Sequence, residues 1–151
     1  MAYKGFFKPK NPKKYAGDPN QIVYRSLWEL KYMNWLDSHP DVIEWSSEEI
    51  VIPYLSPIDS SYHRYFPDFK VKIRDKNGVV ETLIVEIKPA SQMKEPEVQK
   101  RKTRKYIQEV YTWGVNSAKW DAAEKYCKSR GWKFVKYNEY NLGIKPWPKQ
   151  K

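Results

Sequence analysis

The stretch 66-FPDFKVKIRDKNGVVETLIVEIK-88 carries two acids and a lysine whose placement could do chemistry. Asp68 follows a proline, and Glu86 and Lys88 stand one residue apart at the end of the most apolar run. Side chains alternate along a strand, so Glu86 and Lys88 share one face while Val85 and Ile87 take the other. The segment 75-DKNG-78 is a strong hairpin turn signal. Asp68 and Glu86 are equidistant from Asn77, so a hairpin folded there sets the two acids roughly opposite each other. Two close carboxylates repel, and a divalent cation between them relieves the repulsion. Lys88 would then neutralise the site, position a water, or stabilise charge on a phosphorane-like transition state. The same residues also allow a structural reading: a same-face ion pair worth under about 1 kcal/mol if exposed. Register decides between them, because a slip of one residue turns Glu86 and Lys88 away from Asp68.

A third acid lies upstream. From about Gln21 to Ser38 the pattern has a helical period. At about 100° per residue, Ile22, Met33 and Leu36 fall near Glu29, with Tyr24, Trp28, Tyr32 and Trp35 continuing the stripe. Glu29 therefore sits within the apolar face, with Arg25 one turn back. A carboxylate buried there needs a partner. Either Arg25 alone holds it, or it points at a polar site on the neighbouring sheet.

Several elements must position these residues. Residues 1–20, rich in Lys, Pro, Gly and aromatics, read as an extended arm. His39-Pro40 ends the first helix. Residues 42–54 read as one strand and 55–64 as a turn-rich loop. Strands follow near Tyr65–Arg74 and Val79–Lys88. A polar linker covers 89–102, then a helix from Thr103 to Tyr111 and a second from Asn116 to Arg130, capped by Asn116 or Ser117 and ended by Gly131. Residues 132–138 alternate like a strand, and 139–151 form a tail. These elements predict one α/β domain over 21–138, with a central mixed sheet flanked by helices.

The chain has 151 residues, 40% of them hydrophobic, with seven Trp and twelve Tyr. That suits one domain with a real core and excludes a disordered basic tail. The net charge of +10 favours a polyanionic partner, and nucleic acid is the commonest. The run 100-KRKTRK-105 offers Lys100, Arg101, Lys102, Arg104 and Lys105 to phosphates, or is a solvated linker. Lys119 could reach the cleft or DNA, and Tyr62, His63 and Arg64 could line it. The single cysteine, Cys127, excludes an internal disulfide and a cysteine-based zinc cluster. Only His39 and His63 are present, so hard, oxygen-liganded metals remain the candidates. No run has the apolar length of a signal peptide or membrane span, which predicts no membrane partner.

Pro67-Asp68, then Glu86-x-Lys88 at the end of the next strand, after Glu29 on an N-terminal helix, resembles the PD-(D/E)XK nuclease superfamily. The resemblance implies a restriction-endonuclease-like core in the order αβββαβ. The wording of 24-YRSLWELKYMNWLD-37, 44-EWSSEEIVIPYLSPID-59, 63-HRYFPDF-69 and 115-VNSAKWDAA-123 is similar to the head-completion nucleases of T-even-like tailed phages. The layout also resembles the catalytic subunit of Tn7-type transposition machinery. Carried onto this chain, the resemblance implies that Asp68 and Glu86 bind Mg²⁺, with Mn²⁺ as a substitute, aided by the carbonyl of Ile87. Lys88 would orient or activate the attacking water, and Glu29 would complete the metal site. It further implies a DNA substrate, phage head or connector partners, no small-molecule substrate, and action in the host cytoplasm during assembly or in the virion. The rival readings are a non-catalytic basic virion protein and a catalytic subunit that cuts only within a transposase-like complex.

Overall fold

The computed structural model describes residues 4–146. Its centre is a four-stranded mixed sheet. Strand β3 (Val42–Ser47) pairs antiparallel with β6 (Phe69–Arg74), β6 antiparallel with β7 (Val80–Ile87), and β7 parallel with β8 (Lys133–Tyr137). Helix α1 (Leu27–Ser38) covers one face and α2 (Arg104–Arg130) the other. Strands β4 (Ile52–Leu55) and β5 (Tyr62–Tyr65) form a separate antiparallel ribbon against α2, and β1 (Gly5–Phe6) pairs with β2 (Val23–Tyr24). The expected mixed α/β class with a central mixed sheet is therefore present, with two α-helices. Its elements run α1, β3, β6, β7, α2, β8, and the ribbon interrupts that order.

Alternation along β7 divides the interior. Leu83 and Val85 pack with Tyr32, Met33 and Leu36 of α1, while Ile84 packs with Trp120, Ala123 and Cys127 of α2. Ile84 and Val85 are fully buried, each stabilising the sheet by about 1.5–3 kcal/mol relative to exposure. The turn at 75–78 forms as its sequence predicts. Asp75 Oδ1 accepts the N–H groups of Asn77 and Val79, and Gly78 takes φ 79°, the left-handed region open to glycine.

Four boundaries differ from the sequence expectation. The first helix starts at Leu27 rather than near Gln21, because Ser26 caps it by accepting the Glu29 N–H at 3.1 Å. The Ser-x-x-Glu pattern at 26–29 is the capping-box signature, which outranked the apolar period upstream. Residues 42–54 are two strands in different sheets, separated where Glu48 takes φ 54°. Tyr65 belongs to the ribbon and not to β6. The two predicted carboxy-terminal helices are one, α2, capped by Thr103. Asn116 is buried inside it rather than at its start. Gly131 ends α2 in the left-handed conformation, φ 71°.

The amino-terminal segment is docked on the core, with a 3-10 turn at Pro12–Lys14. Phe7 and Tyr15 are buried edge-on against Trp45 at 5.8 and 4.8 Å. The Asp37 carboxylate accepts the N–H groups of Lys10 and Asn11. Residues 1–3 of the expected arm and 147–151 of the expected tail lie outside the described residues.

Candidate active site

The hairpin brings the two acids of the opening stretch together. Phe69 pairs with Val85, which sets Asp68 across from Glu86 at the next position. Asp68 is fixed from two sides. Its Oδ2 accepts the Ile87 backbone N–H at 2.7 Å, and its carbonyl accepts the Glu48 N–H at 3.1 Å. Pro67, fully buried, anchors the approach. Glu86 follows Ile84 by two residues and shares its face, toward α2.

The acid pair is costly as two anions. Glu86 is buried, and its carboxyl is pushed up to about 8, first by burial and then by the negative charge of Asp68 and the hydrogen bond with it. Burial also raises the half-buried Asp68, against the pull of the Ile87 N–H, Glu86, Lys88 and Arg25. Lys88 acts on both acids, so its ammonium stands near the pair. Its own backbone N–H is tied to the Tyr137 carbonyl at 3.0 Å, just past the end of β7.

Glu29 approaches from the start of α1. Its carboxyl is pushed up to about 7, first by burial and then by the charge of Asp68. The Arg25 backbone N–H, the Arg25 charge and the Ser26 hydroxyl pull the other way. Arg25 and Ser26 act on Glu29, and so does the charge of Asp68, so Arg25 is not its sole neighbour. Arg25 is not dedicated to Glu29, because its guanidinium pairs with Glu48.

Sequence reasoning missed three neighbours of the acid pair. The Tyr65 ring is buried and its hydroxyl has no partner at good hydrogen-bond geometry, although it stands beside Glu86. Burial first, and then the charges of Glu86 and Asp68, raise its pKa. Lys136 lies opposite Glu86 in the parallel register, with its ammonium 4.3 Å from the Trp120 ring centre. The alternation of 132-WKFVKYN-138 puts Phe134 and Lys136 on one face but does not say which strand they meet. Arg25 also reaches Asp68.

The expected DNA contacts divide. Lys119 is half-buried, its Nζ 5.6 Å from the Tyr65 ring and 5.7 Å from Tyr54, and so beside the site. Lys100, Arg101, Lys102, Arg104 and Lys105 are all exposed around the start of α2, and no interaction brings them to the acids. A cavity of about 610 Å³ between residues 91–99 and α2 has Gln92, Glu95, Gln99, Gln108, Trp113 and Asn116 in its wall, and none of the four site residues.

Among the described residues, no three His, Cys, Asp or Glu side chains are arranged as a ready metal cage. The donor chemistry nevertheless fits a hard divalent cation. Two adjoining carboxyls, both held toward the protonated state, form a site where a cation can replace a shared proton.

Two carboxyls and a lysine thus gather at one end of the sheet in a mixed α/β scaffold, and comparison with known proteins points to a nuclease family. The chain belongs to the family of the TnsA-like endonuclease N-terminal domain, which matches residues 39–139. It is similar to the head completion nuclease of Enterobacteria phage T4, with 41% identity over 138 residues that cover 89% of each chain. No solved structure matches it significantly. No helix among the described residues is long and apolar enough to cross a membrane.

Proposed function

We propose that this chain is a divalent-metal-dependent endodeoxyribonuclease of phage head completion, acting on packaged DNA so that filled heads can join tails. The observation that carries the catalytic part is the Asp68–Glu86 pair, set across one hairpin with Lys88 at its edge. The biological setting follows the head completion nuclease to which the chain is similar, and the DNA substrate follows the endonuclease family.

Asp68 and Glu86 would hold Mg²⁺ or Mn²⁺, with the Ile87 carbonyl and Glu29 completing the set. A cation there supplies Lewis-acid stabilisation of phosphoryl charge and a more acidic water. The Ile87 N–H keeps Asp68 Oδ2 aimed. Lys88, the cation next to both acids, orients the attacking water or donates to a non-bridging phosphate oxygen. Glu29, poised near neutrality, can take up or release a proton at the edge of the site.

Lys119 and Lys136 add positive charge to the same face. The run at 100–105 would hold DNA further out through its phosphates. Arg104 and Lys105 open α2, where cations oppose the helix dipole at about 0.3–1 kcal/mol each. Phosphates bound there would relieve that repulsion.

Covalently closed circular DNA tests the proposal. The purified chain should nick it with Mg²⁺ or Mn²⁺ and leave it intact in chelator. No cleavage with either metal, with DNA binding retained, would instead assign the chain a structural role in the virion.

A further inference from the structure

The ribbon β4–β5 has one face in the core and one face that nothing covers among the described residues. Ile52, Tyr54 and Tyr65 are buried with Ile84 and Trp120. Alternation places Leu55, Tyr62, Arg64 and Phe66 on the other side, where Leu55 pairs with Tyr62 and Pro53 with Arg64. Tyr62 is 76% exposed and Phe66 41%. The Arg64 guanidinium stands 5.8 Å from the Phe66 ring centre. None of these outward residues is acidic.

The chain runs from this face directly into the candidate catalytic acid: Phe66, Pro67, Asp68. Pro67 is fully buried and its φ is fixed, so Phe66 is held close to Asp68. Two residues span at most about 7 Å. A phosphate held at Asp68 therefore lies within a short reach of Phe66. Exposed aromatic rings with a guanidinium, and no carboxylate, suit nucleobases, whose π faces stack on such rings whatever the sequence. In a duplex those faces are hidden between neighbouring base pairs.

The geometry points to a stacking platform for unpaired nucleotides. Phe66 and Tyr62 receive bases of a single-stranded or frayed segment, Arg64 holds its backbone, and the adjoining phosphate reaches Asp68. The substrate class is DNA with unpaired bases next to the scissile bond. This inference deepens the nuclease reading and rests on it. An apolar protein surface could cover the same rings, but the lone cation and the direct run into Asp68 favour a polyanion.

The test uses the full chain in chelator, so that cleavage does not interfere. Three dye-labelled DNAs are titrated: a single strand, the blunt duplex of the same sequence, and that duplex with an unpaired overhang. Wild type is compared with Phe66→Ala and Tyr62→Ala, and with the ring-keeping Phe66→Tyr and Tyr62→Phe. Each variant's melting temperature is recorded, and the exposure of both rings predicts little change. Each alanine variant should lose roughly tenfold in affinity for the single strand and the overhang, and under about threefold for the blunt duplex. The ring-keeping variants should bind as wild type.

Equal losses on all three DNAs, or no loss on the single strand, would overturn the platform. So would a wild type that binds duplex but no unpaired DNA, which would leave the face to a protein partner. Nicking of circular DNA by the wild type reports on the nuclease reading separately. A failed platform in a protein that still cuts removes this inference alone. A sound platform in a protein that does not cut removes only the nuclease reading.

Discussion

The Ile87 backbone N–H donates to Asp68 Oδ2 at 2.7 Å, so the acid that precedes β6 is fastened to the strand that carries Glu86. The bond crosses at the open end of the hairpin, where β6 enters and β7 leaves. It keeps the two carboxyls together despite their mutual repulsion. Burial then holds both toward the protonated state, as expected of a site that waits for a cation.

Stability without metal should therefore depend on pH. Glu86 rises from the ordinary 4.5 to about 8, and Glu29 from 4.5 to about 7. A raised carboxyl binds its proton more tightly in the folded state. Its stabilising contribution is complete below the unfolded value and lost as pH climbs through the folded one. In chelator, the melting temperature should fall between about pH 4.5 and about pH 8. Mg²⁺ should flatten that fall, because a bound cation favours the ionised pair. A flat profile in chelator would contradict this account of the pair.

Glu29 has two roles that one substitution separates. Glu29→Gln keeps the length and hydrogen-bonding reach of the side chain, so the cap at Ser26 should survive. The melting temperature at pH 8 should stay level or rise, because a disfavoured charge is gone. Cleavage should fall by about tenfold or more if the acid serves the metal site. Unchanged cleavage would leave Glu29 as a helix cap alone.

Gly114 lies inside α2, where glycine costs roughly 1 kcal/mol relative to alanine. An added Cβ would meet only Pro57 Cγ, at an ordinary 3.8 Å. Gly114→Ala should stabilise the fold by about 0.5–1 kcal/mol, visible as a midpoint shift in denaturant. A loss of stability would mean that α2 bends or moves at this position.

The basic run should act through salt-dependent affinity. Changing Lys100, Arg101, Lys102, Arg104 and Lys105 to glutamine should weaken DNA of every sequence alike. The slope of log affinity against log salt should fall by about 0.9 for each phosphate no longer neutralised. An unchanged slope would make the run a solvated linker.

The sequence carried the site better than the boundaries around it. The Asp75–Gly78 turn fixes the hairpin register locally, and alternation from that turn suffices to pair Asp68 with Glu86 and to place Lys88. Periodicity alone was weaker. It ran the first helix back over Val23–Tyr24, which pair with Gly5–Phe6 instead. Local pattern ended one helix at Tyr111 and began another at Asn116, across Gly114. The packing of Trp113 and Trp120 on the ribbon side overrides the poor propensity of Gly114 and Asn116, and α2 continues through them. Tyr65 and Lys136 reach the site through pairings distant in sequence. Neither pairing can be read from local pattern.

The central claim is that Asp68 and Glu86 together hold the metal that cuts DNA. Nicking of supercoiled DNA in Mg²⁺ by wild type and Asp68→Asn, with melting temperatures recorded beside it, tests this most directly. Asparagine keeps the side chain's size and its acceptor for the Ile87 N–H, so the fold should hold. Nicking should fall by on the order of a thousandfold or more. Wild-type nicking by a folded Asp68→Asn variant would contradict the account.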